Sequence, residues 1–186
     1  MNPEELLRQY RTGRRDFPRV DLARIILKQA NLPQINLSQA ILTEIDLSET
    51  NLERAVLERA NLNLSNLSQA NLREADFRAA YLKSILLYKA NLGKARLDRA
   101  DLSSAILQRA FLREANLEGA ILVGANLEQA NLIDTNLANA DLTNANFKNA
   151  FLQGANLFQA RMDNVDLSQT ILTGAIMPDG EIFNDS

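Results

Sequence analysis

A leucine-like residue recurs at every fifth position along almost the whole chain. From Phe17 to Met177, each of the 33 positions at steps of five is Leu, Phe or Met, with no break in phase. On an α-helix five residues turn through about 500°, so these side chains would spread around the helix instead of forming one stripe. On a straight strand the side-chain period is two, so an odd repeat would send successive leucines to opposite faces. The period therefore excludes both a long amphipathic helix and a simple sheet.

The other positions of each five-residue unit indicate how the chain resolves this conflict. Ala usually stands two places before the central Leu, and Asn or Asp stands one place before it in 20 of the 33 units. We call this position before the central Leu the slot. In a short extended segment Ala and Leu point to one side and the slot residue points to the other. Because short Asx side chains also favour turns, we expect each unit to end in a corner, and the repeated corners to build a solenoid.

Units such as ANLEQ, ADLSS and ANFKN resemble those of the pentapeptide-repeat family. The resemblance covers residues 15 to about 179 and implies an all-β fold, a right-handed quadrilateral β-helix with four units per coil. The 33 units would then make about eight coils, and the rod would be on the order of 40 Å long at the usual spacing between strands. The Leu and Phe side chains would fill the axis, with the alanines inside near the corners.

The N-terminal residues depart from the repeat and predict a helical cap. Asn2 suits the N-cap, Pro3 suits the first turn, and Glu5 is placed to complete a capping box. Gly13 is suited to end the helix, which we therefore expect from about 3 to 12. Three apolar side chains on one face of this helix should cover the first coil: Leu6, Leu7 and Tyr10.

The C-terminal residues predict a second, smaller cap. Residues 178–180, with the sequence PDG, indicate a turn that ends the last coil. Ile182 and Phe183 are expected to act as a small lid, and the last few residues are expected to fray. The chain is thus predicted to divide into three parts: a capping helix at 1–14, a β-helix at 15–179 and a tail at 180–186.

Composition argues against an enzyme. The chain contains no Cys and no His, so Ser-His and Cys-His pairs and thiolate metal sites cannot form. The seven glycines are scattered, so no phosphate-binding loop is present. Columns of carboxylates follow from the repeat itself and are expected to be solvated. We therefore expect no catalytic residue, no cofactor and no metal.

Charge and hydropathy limit the class of partner. The net charge of −3 argues against direct nucleic-acid binding, because nucleic-acid-binding domains are usually basic. No apolar run has the length of a signal peptide or of a membrane span. We therefore expect a cytoplasmic protein that does not contact a membrane and whose partner, if any, is another protein.

The units that break the consensus indicate where such a partner would bind. Large apolar residues stand in several slots, where an outward-facing Asn or Asp is expected. With four units per coil, Leu86 and Ile106 should share a face with Tyr88, and Tyr81 should lie around the corner. The predicted partner surface consists of Tyr81, Leu86, Tyr88, Ile106 and Phe111. The alternative, that β-faces simply tolerate isolated apolar residues, stays open.

Three functional classes remain. We favour a rigid protein–protein interaction or scaffold module, since a preformed surface loses little entropy on binding. Some members of the family mimic duplex DNA and bind type II topoisomerases such as gyrase, which requires strongly acidic faces and a dimer through the C-terminal end. A structural spacer is the third class. The N-terminal helix followed by GRRDF resembles the start of cyanobacterial members, and the oligomeric state, monomer or end-to-end dimer, stays open.

Overall fold

The computed structural model describes residues 1–184, and the backbone repeats its register every 20 residues. Parallel β-bridges join slot residues 20 positions apart, from Asp16 with Asn36 to Asn156 with Ile176. Since 20 residues contain four units, the predicted coil of four pentapeptides is confirmed. A corner follows every five residues, so each contact between coils is one bridge long, and residues 1–184 contain no longer strand.

The four faces of the rod are numbered here in chain order and defined by their slots. Face 1 has the slots at 16, 36, 56, 76, 96, 116, 136, 156 and 176. Face 2 has those at 21, 41, 61, 81, 101, 121, 141 and 161. Face 3 has those at 26, 46, 66, 86, 106, 126, 146 and 166, and face 4 has those at 31, 51, 71, 91, 111, 131, 151 and 171. Faces 2 and 4 therefore lie on opposite sides of the rod.

A tight turn follows the central Leu at each corner. In one such unit the Ala60 N–H donates to the Leu57 carbonyl (3.0 Å), and Arg59 has a φ of 55°. This hydrogen bond and a positive φ at the third residue are features of a type II turn. Residues other than Gly rarely adopt such a φ. Here the next coil holds the conformation, because the Arg59 N–H donates to the Arg78 carbonyl (2.9 Å).

The interior is a column of Leu and Phe side chains flanked by small residues. Phe17, Phe77 and Phe147 stand at three levels of the axis, and all three are buried. Alanines fill the space beside the column, close to the corners. Where Ser65 replaces Ala, its hydroxyl donates to the Leu42 carbonyl (2.7 Å), which avoids the cost of a buried polar group without a partner.

Helix α1, Pro3–Arg11, forms the N-terminal end of the rod. The Asn2 side chain accepts a hydrogen bond from the Glu5 N–H (2.8 Å), as expected of an N-cap. The Glu5 carboxylate, however, accepts hydrogen bonds from two side chains further along the helix, Arg8 and Gln9. Only half of the expected capping box is therefore formed.

Two side chains attach α1 to the first coil. Leu6 is fully buried, and the Tyr10 hydroxyl donates to the Pro33 carbonyl (2.7 Å). Gly13 follows the helix with a φ of 99°, and its N–H donates to the Tyr10 carbonyl (3.0 Å). The helix thus ends where the glycine was expected to end it, and its apolar face covers the end of the axial column.

The last coil is less regular than the others. At a regular corner such as Gln129, the N–H donates to the carbonyl 19 positions later, that of Lys148. At Asn149 the acceptor is Gln169, one residue further along the chain. Three axial side chains of this coil are consequently only partly buried: Met162, Leu167 and Met177.

The tail pairs with the last coil through its backbone. Ile182 forms an antiparallel bridge with Ile176, and the Phe183 N–H donates to the Ala175 carbonyl (2.8 Å). The side chains of Ile182 and Phe183 stay 58% and 37% exposed, so the expectation that they form a lid is wrong. Pairing with the unpaired backbone edge orients the tail instead. The expected fraying concerns Asp185 and Ser186, which lie outside the described residues.

Candidate protein-interaction surface

An Asn side chain in a slot can make two hydrogen bonds. The Asn51 Oδ1 accepts from the Glu53 N–H (3.2 Å), and its Nδ2 donates to the Asn31 Oδ1 on the preceding coil (2.8 Å). Asn71 donates in the same way to Asn51 (3.1 Å), so these Asn side chains stack in a hydrogen-bonded ladder. Phe, Leu or Ile in a slot forgoes both hydrogen bonds. Apolar slots therefore mark positions where the side chain contributes less to the fold.

Four of the five predicted partner-surface residues lie around one corner of the rod. Leu86 and Ile106 pair directly on successive coils of face 3. Tyr88 follows two residues after Leu86, at the corner between faces 3 and 4. Phe111 is the next slot after Ile106 and lies on face 4, with 53% of its surface exposed. These four side chains can therefore contact a single partner.

The fifth residue, Tyr81, does not belong with them. It bridges Asn61 and Asp101 on face 2, opposite the face that carries Phe111. The two positions are six units apart, and six units make one and a half coils. Tyr81 lies around the corner from Leu86, as expected, but the five residues span three faces, and Tyr81 faces away from Phe111 although it is as exposed (54%).

The same corner carries two cations that the sequence prediction missed. Lys89 and Arg109 occupy equivalent turn positions on successive coils, with φ values of 55° and 57°. The Lys89 Nζ lies 5.2 Å from the centre of the Tyr88 ring, and the Arg109 Nε donates to the Gln129 Oε1 (2.8 Å). Neither cation forms an ion pair with a carboxylate of residues 1–184, so two unpaired positive charges adjoin each other on successive coils at this corner.

A shallow hollow of about 450 Å³ lies on face 4 beside this corner. Phe111 and Phe151 stand two coils apart at its ends, with Asn131 between them. Arg109 lies on one edge of the hollow and Ile133 on the other. The common face of Phe111 and Phe151 follows from the sequence, because two steps of 20 residues separate them. The unpaired state of Arg109 has no such signal, because it depends on side-chain contacts between coils.

The sequence comparisons now identify the family. The model for pentapeptide repeats matches residues 21–78 and 80–178. The chain belongs to the pentapeptide-repeat family. No curated protein sequence matches this pentapeptide-repeat protein significantly.

Several solved structures resemble the pentapeptide-repeat chain. HetL, a pentapeptide repeat protein involved in heterocyst differentiation regulation from the cyanobacterium Nostoc sp. strain PCC 7120, is 31% identical. That match covers 98% of this chain and 100% of HetL, with a TM-score of 0.63. Rfr23 from the cyanobacterium Cyanothece 51142 is 22% identical, with 90% and 98% of the two chains covered and a TM-score of 0.29. QnrB1, a plasmid-mediated fluoroquinolone resistance protein, is 18% identical, with 89% and 84% covered and a TM-score of 0.48.

Elsewhere on this pentapeptide-repeat protein, charges of opposite sign stack on successive coils. At the corner after face 4, the Arg54 Nε lies 2.7 Å from the Glu74 Oε2, and the Lys94 Nζ lies 3.2 Å from the Glu114 Oε2. The hydrogen bond from Arg54 lowers the pKa of Glu74. The signs alternate along this column, whereas Lys89 and Arg109 adjoin each other without an intervening acid.

Several carboxyl groups of the pentapeptide-repeat chain have a lowered pKa. Burial by itself would raise the pKa of Asp76, but hydrogen bonds from the Arg78 side chain and backbone outweigh burial and lower it. In residues 1–184, every carboxyl group with a resolved shift has a lowered pKa. A general acid needs the opposite shift. The described residues also contain no acidic cluster suited to a metal, and none of their helices is long and apolar enough to cross a membrane.

Proposed function

We propose that this pentapeptide-repeat protein is a non-enzymatic interaction module that binds another protein at one corner of its rod. The corner surface is defined by six residues: Leu86, Tyr88, Lys89, Ile106, Arg109 and Phe111. One observation carries the proposal: apolar side chains replace hydrogen-bonding slot residues at three positions that adjoin the same corner. Clustered apolar groups on a rigid surface are typical of binding sites, and aromatic anchors usually dominate their energetics.

Two features of the rod support binding without rearrangement. Each coil is held by backbone hydrogen bonds to its neighbours, such as those that Leu87 and Lys89 donate to Ile106 and Gln108 (2.8 and 3.1 Å). The interior is filled by buried Leu, Phe and Ala side chains. A partner would therefore meet a preformed surface, and little conformational entropy would be lost on binding.

The similarity to HetL supports a regulatory role for the interaction. HetL is described as involved in heterocyst differentiation regulation, and the match extends over nearly the whole of both chains. We infer that this chain also acts in cellular regulation through contact with a protein, in the cytoplasm. Cell fractionation tests the location. The division into cap, β-helix and tail is likewise a proposal, and deletion of residues 1–13 tests it.

Charge pairing does not favour the alternative of a DNA mimic. A mimic must present continuous negative charge, whereas cations interrupt the acids on this rod, as where Lys83 pairs with Asp101 (3.2 Å) and Arg78 with Asp76 (2.7 Å). We expect no inhibition of DNA gyrase supercoiling at micromolar protein. Inhibition at that concentration would favour the mimic and contradict a partner-specific module.

A pull-down from the source cells tests the interaction with a matched pair of variants. The test variant combines Tyr88→Ser with Phe111→Asn, which removes both aromatic side chains and restores the consensus slot. The control is Tyr81→Asn, an equally exposed aromatic in the same kind of slot on the opposite side of the rod. We expect the test variant to lose a partner that the wild type and the control retain, at unreduced thermal stability. If both variants keep every partner at equal affinity, the proposed function is wrong.

A further inference from the structure

We propose that the corner surface recognises an acidic, extended peptide segment of the partner, in which a carboxylate lies close in sequence to a large aromatic or aliphatic side chain. This inference rests on the proposed function and adds the chemical class of the partner. The carboxylate would pair with Lys89 and Arg109, and the apolar side chain would enter the hollow between Phe111 and Phe151.

The first argument is the unbalanced charge at this corner. Lys89 and Arg109 stand on adjacent coils, roughly 4.8 Å apart along the axis. Like charges on neighbouring strands repel each other, so this arrangement costs stability unless an anion lies between them. The equivalent turn positions on the coils before and after these two cations hold neutral residues, Gln69 before Lys89 and Gln129 after Arg109.

One acid lies beside this corner and accepts its hydrogen bond from a neutral side chain. Glu128 lines a small depression with Tyr88 and Arg109, but its Oε2 accepts a hydrogen bond from the Gln108 Nε2 (2.9 Å). The Arg109 side chain instead donates to Gln129, a neutral acceptor. The Arg109 guanidinium therefore forms no ion pair with a carboxylate of residues 1–184, and a partner's carboxylate could form charge-assisted hydrogen bonds with it, which are stronger than neutral ones.

The second argument is the position of the apolar hollow. Arg109 forms one of its edges, so a side chain bound between Phe111 and Phe151 would lie directly beside the guanidinium group. An extended chain advances about 3.3 Å per residue, so one or two residues separate a group at Arg109 from a group in the hollow. This geometry favours a short linear segment over a large folded surface.

The surroundings favour a peptide over a nucleic acid. Two unpaired cations, Lys89 and Arg109, stand on adjacent coils here, whereas nucleic-acid binders commonly neutralise several phosphates along the backbone. Glu114 and Asp134 lie beyond the hollow, where Arg113 pairs with both (3.5 Å each). These acids would repel a continuous phosphate chain, yet they leave room for a single carboxylate at the opposite edge.

Selection from a phage-displayed library of short random peptides against the full chain tests the inference. We expect enrichment of peptides in which Asp or Glu lies within two positions of Phe, Trp or Leu. The combined variant Lys89→Glu and Arg109→Glu should switch the selected charge to Lys or Arg and weaken binding of the original peptides by about tenfold or more. Glu is compatible with this turn position, since Glu44 and Glu74 adopt the same positive φ.

Arg99→Glu is the matched control. Arg99 occupies the equivalent turn position on the diagonally opposite corner, with a φ of 59°, and forms no ion pair with a carboxylate of residues 1–184. We expect the Arg99→Glu control to enrich the same acidic peptides as the wild type. Failure to enrich acidic peptides, or identical peptides from the reversed variant, would overturn the inference. The inference would also be overturned if the wild type bound random single-stranded DNA and the charge-reversed variant did not, because the site would then bind nucleic acid.

The pull-down separates this failure from failure of the proposed function. A cellular partner that is lost with Tyr88→Ser and Phe111→Asn but retained at full affinity by the charge-reversed variant would leave the interaction module intact and refute the acidic segment. Loss of that partner in both variants supports both proposals.

Discussion

The two halves of face 4 have the same backbone arrangement but differ in the chemistry of their surfaces, one polar and the other largely apolar. The slots of the N-terminal half hold Asn31, Asn51, Asn71 and Asn91, and those of the C-terminal half hold Phe111, Asn131, Phe151 and Ile171. One unbroken series of parallel bridges runs through both halves. The first half satisfies its polar groups internally, whereas the second exposes aromatic and aliphatic side chains to solvent. Because backbone hydrogen bonds and the core carry the fold, slot residues can vary, and their variation is therefore informative about function.

The largest expected effect comes from removing the cap, which adjoins the Asn-bearing half. Deletion of residues 1–13 eliminates the burial of Leu6 and Tyr10 and should cost about 3–6 kcal/mol of unfolding free energy. In a solenoid each coil depends on its neighbours, so the damage should begin at the exposed end. Hydrogen exchange should show faster exchange around Asn31 than around Phe151, and light scattering should show association of the truncated protein. A monomer of unchanged stability would refute the capping role.

Core substitutions should show that the two halves are equivalent beneath their surfaces. Leu72 and Leu132 lie on the axis next to the slots of Asn71 and Asn131, and both are fully buried. Leu→Ala at either position should cost about 2–5 kcal/mol through cavity formation. Chemical denaturation measures both. As a control, Glu128→Gln should change stability by no more than about 0.5 kcal/mol. A cost at only one of the two leucines would mean that the halves differ in packing as well as in surface.

Exchanging the slot residues between the halves should affect stability in opposite directions. Asn51→Leu removes hydrogen bonds to Glu53 and to the Asn ladder, and should destabilise the protein by about 1–2 kcal/mol. Phe111→Asn gives the amide a chance to form the same bonds, and should be neutral or stabilising by up to about 1 kcal/mol. Thermal unfolding of both variants measures these changes in stability. Marked destabilisation by Phe111→Asn would show that this Phe supports the fold, and would weaken its assignment to a binding surface.

The smallest expected effect is a change in the pH dependence of stability. The polar slot residues of face 4 are all Asn, whereas the other faces also have Asp in their slots, so only the slots of those other faces can respond to acid. At Asp101 burial would raise the pKa, but hydrogen bonds from Ser103 and the nearby Lys83 lower it. A carboxyl with a lowered folded-state pKa stabilises the protein fully above its unfolded pKa of about 3.9, and this stabilisation is lost as pH falls through the folded-state value.

Asp101→Asn should therefore flatten the loss of stability between about pH 5 and pH 2, by less than about 1 kcal/mol because the pair is partly exposed. Urea denaturation across this pH range measures the slope. An unchanged slope would show that this carboxyl contributes nothing to acid sensitivity.

The sequence by itself was sufficient for the five-residue repeat, the solenoid and the helical cap, whereas the coil of four units came from the resemblance to the family. An unbroken period of five leaves one way to bury every central Leu, and the cap follows from Asn2, Pro3 and Gly13 through local backbone chemistry. The opposite positions of Tyr81 and Phe111 could also have been predicted, because counting six units from one to the other gives one and a half coils.

Only the tertiary structure showed which charges remain unpaired and where the regular coil fails. Side chains 20 residues apart share a column, but the choice of partner depends on reach and on competing acceptors, as when Gln108 engages Glu128 and Arg109 turns to Gln129. The tail likewise pairs through its backbone while Phe183 stays exposed, since an unpaired edge attracts any available strand regardless of its side chains. A repeat constrains what every unit shares, whereas contacts between individual long side chains are decided only when the coils are stacked.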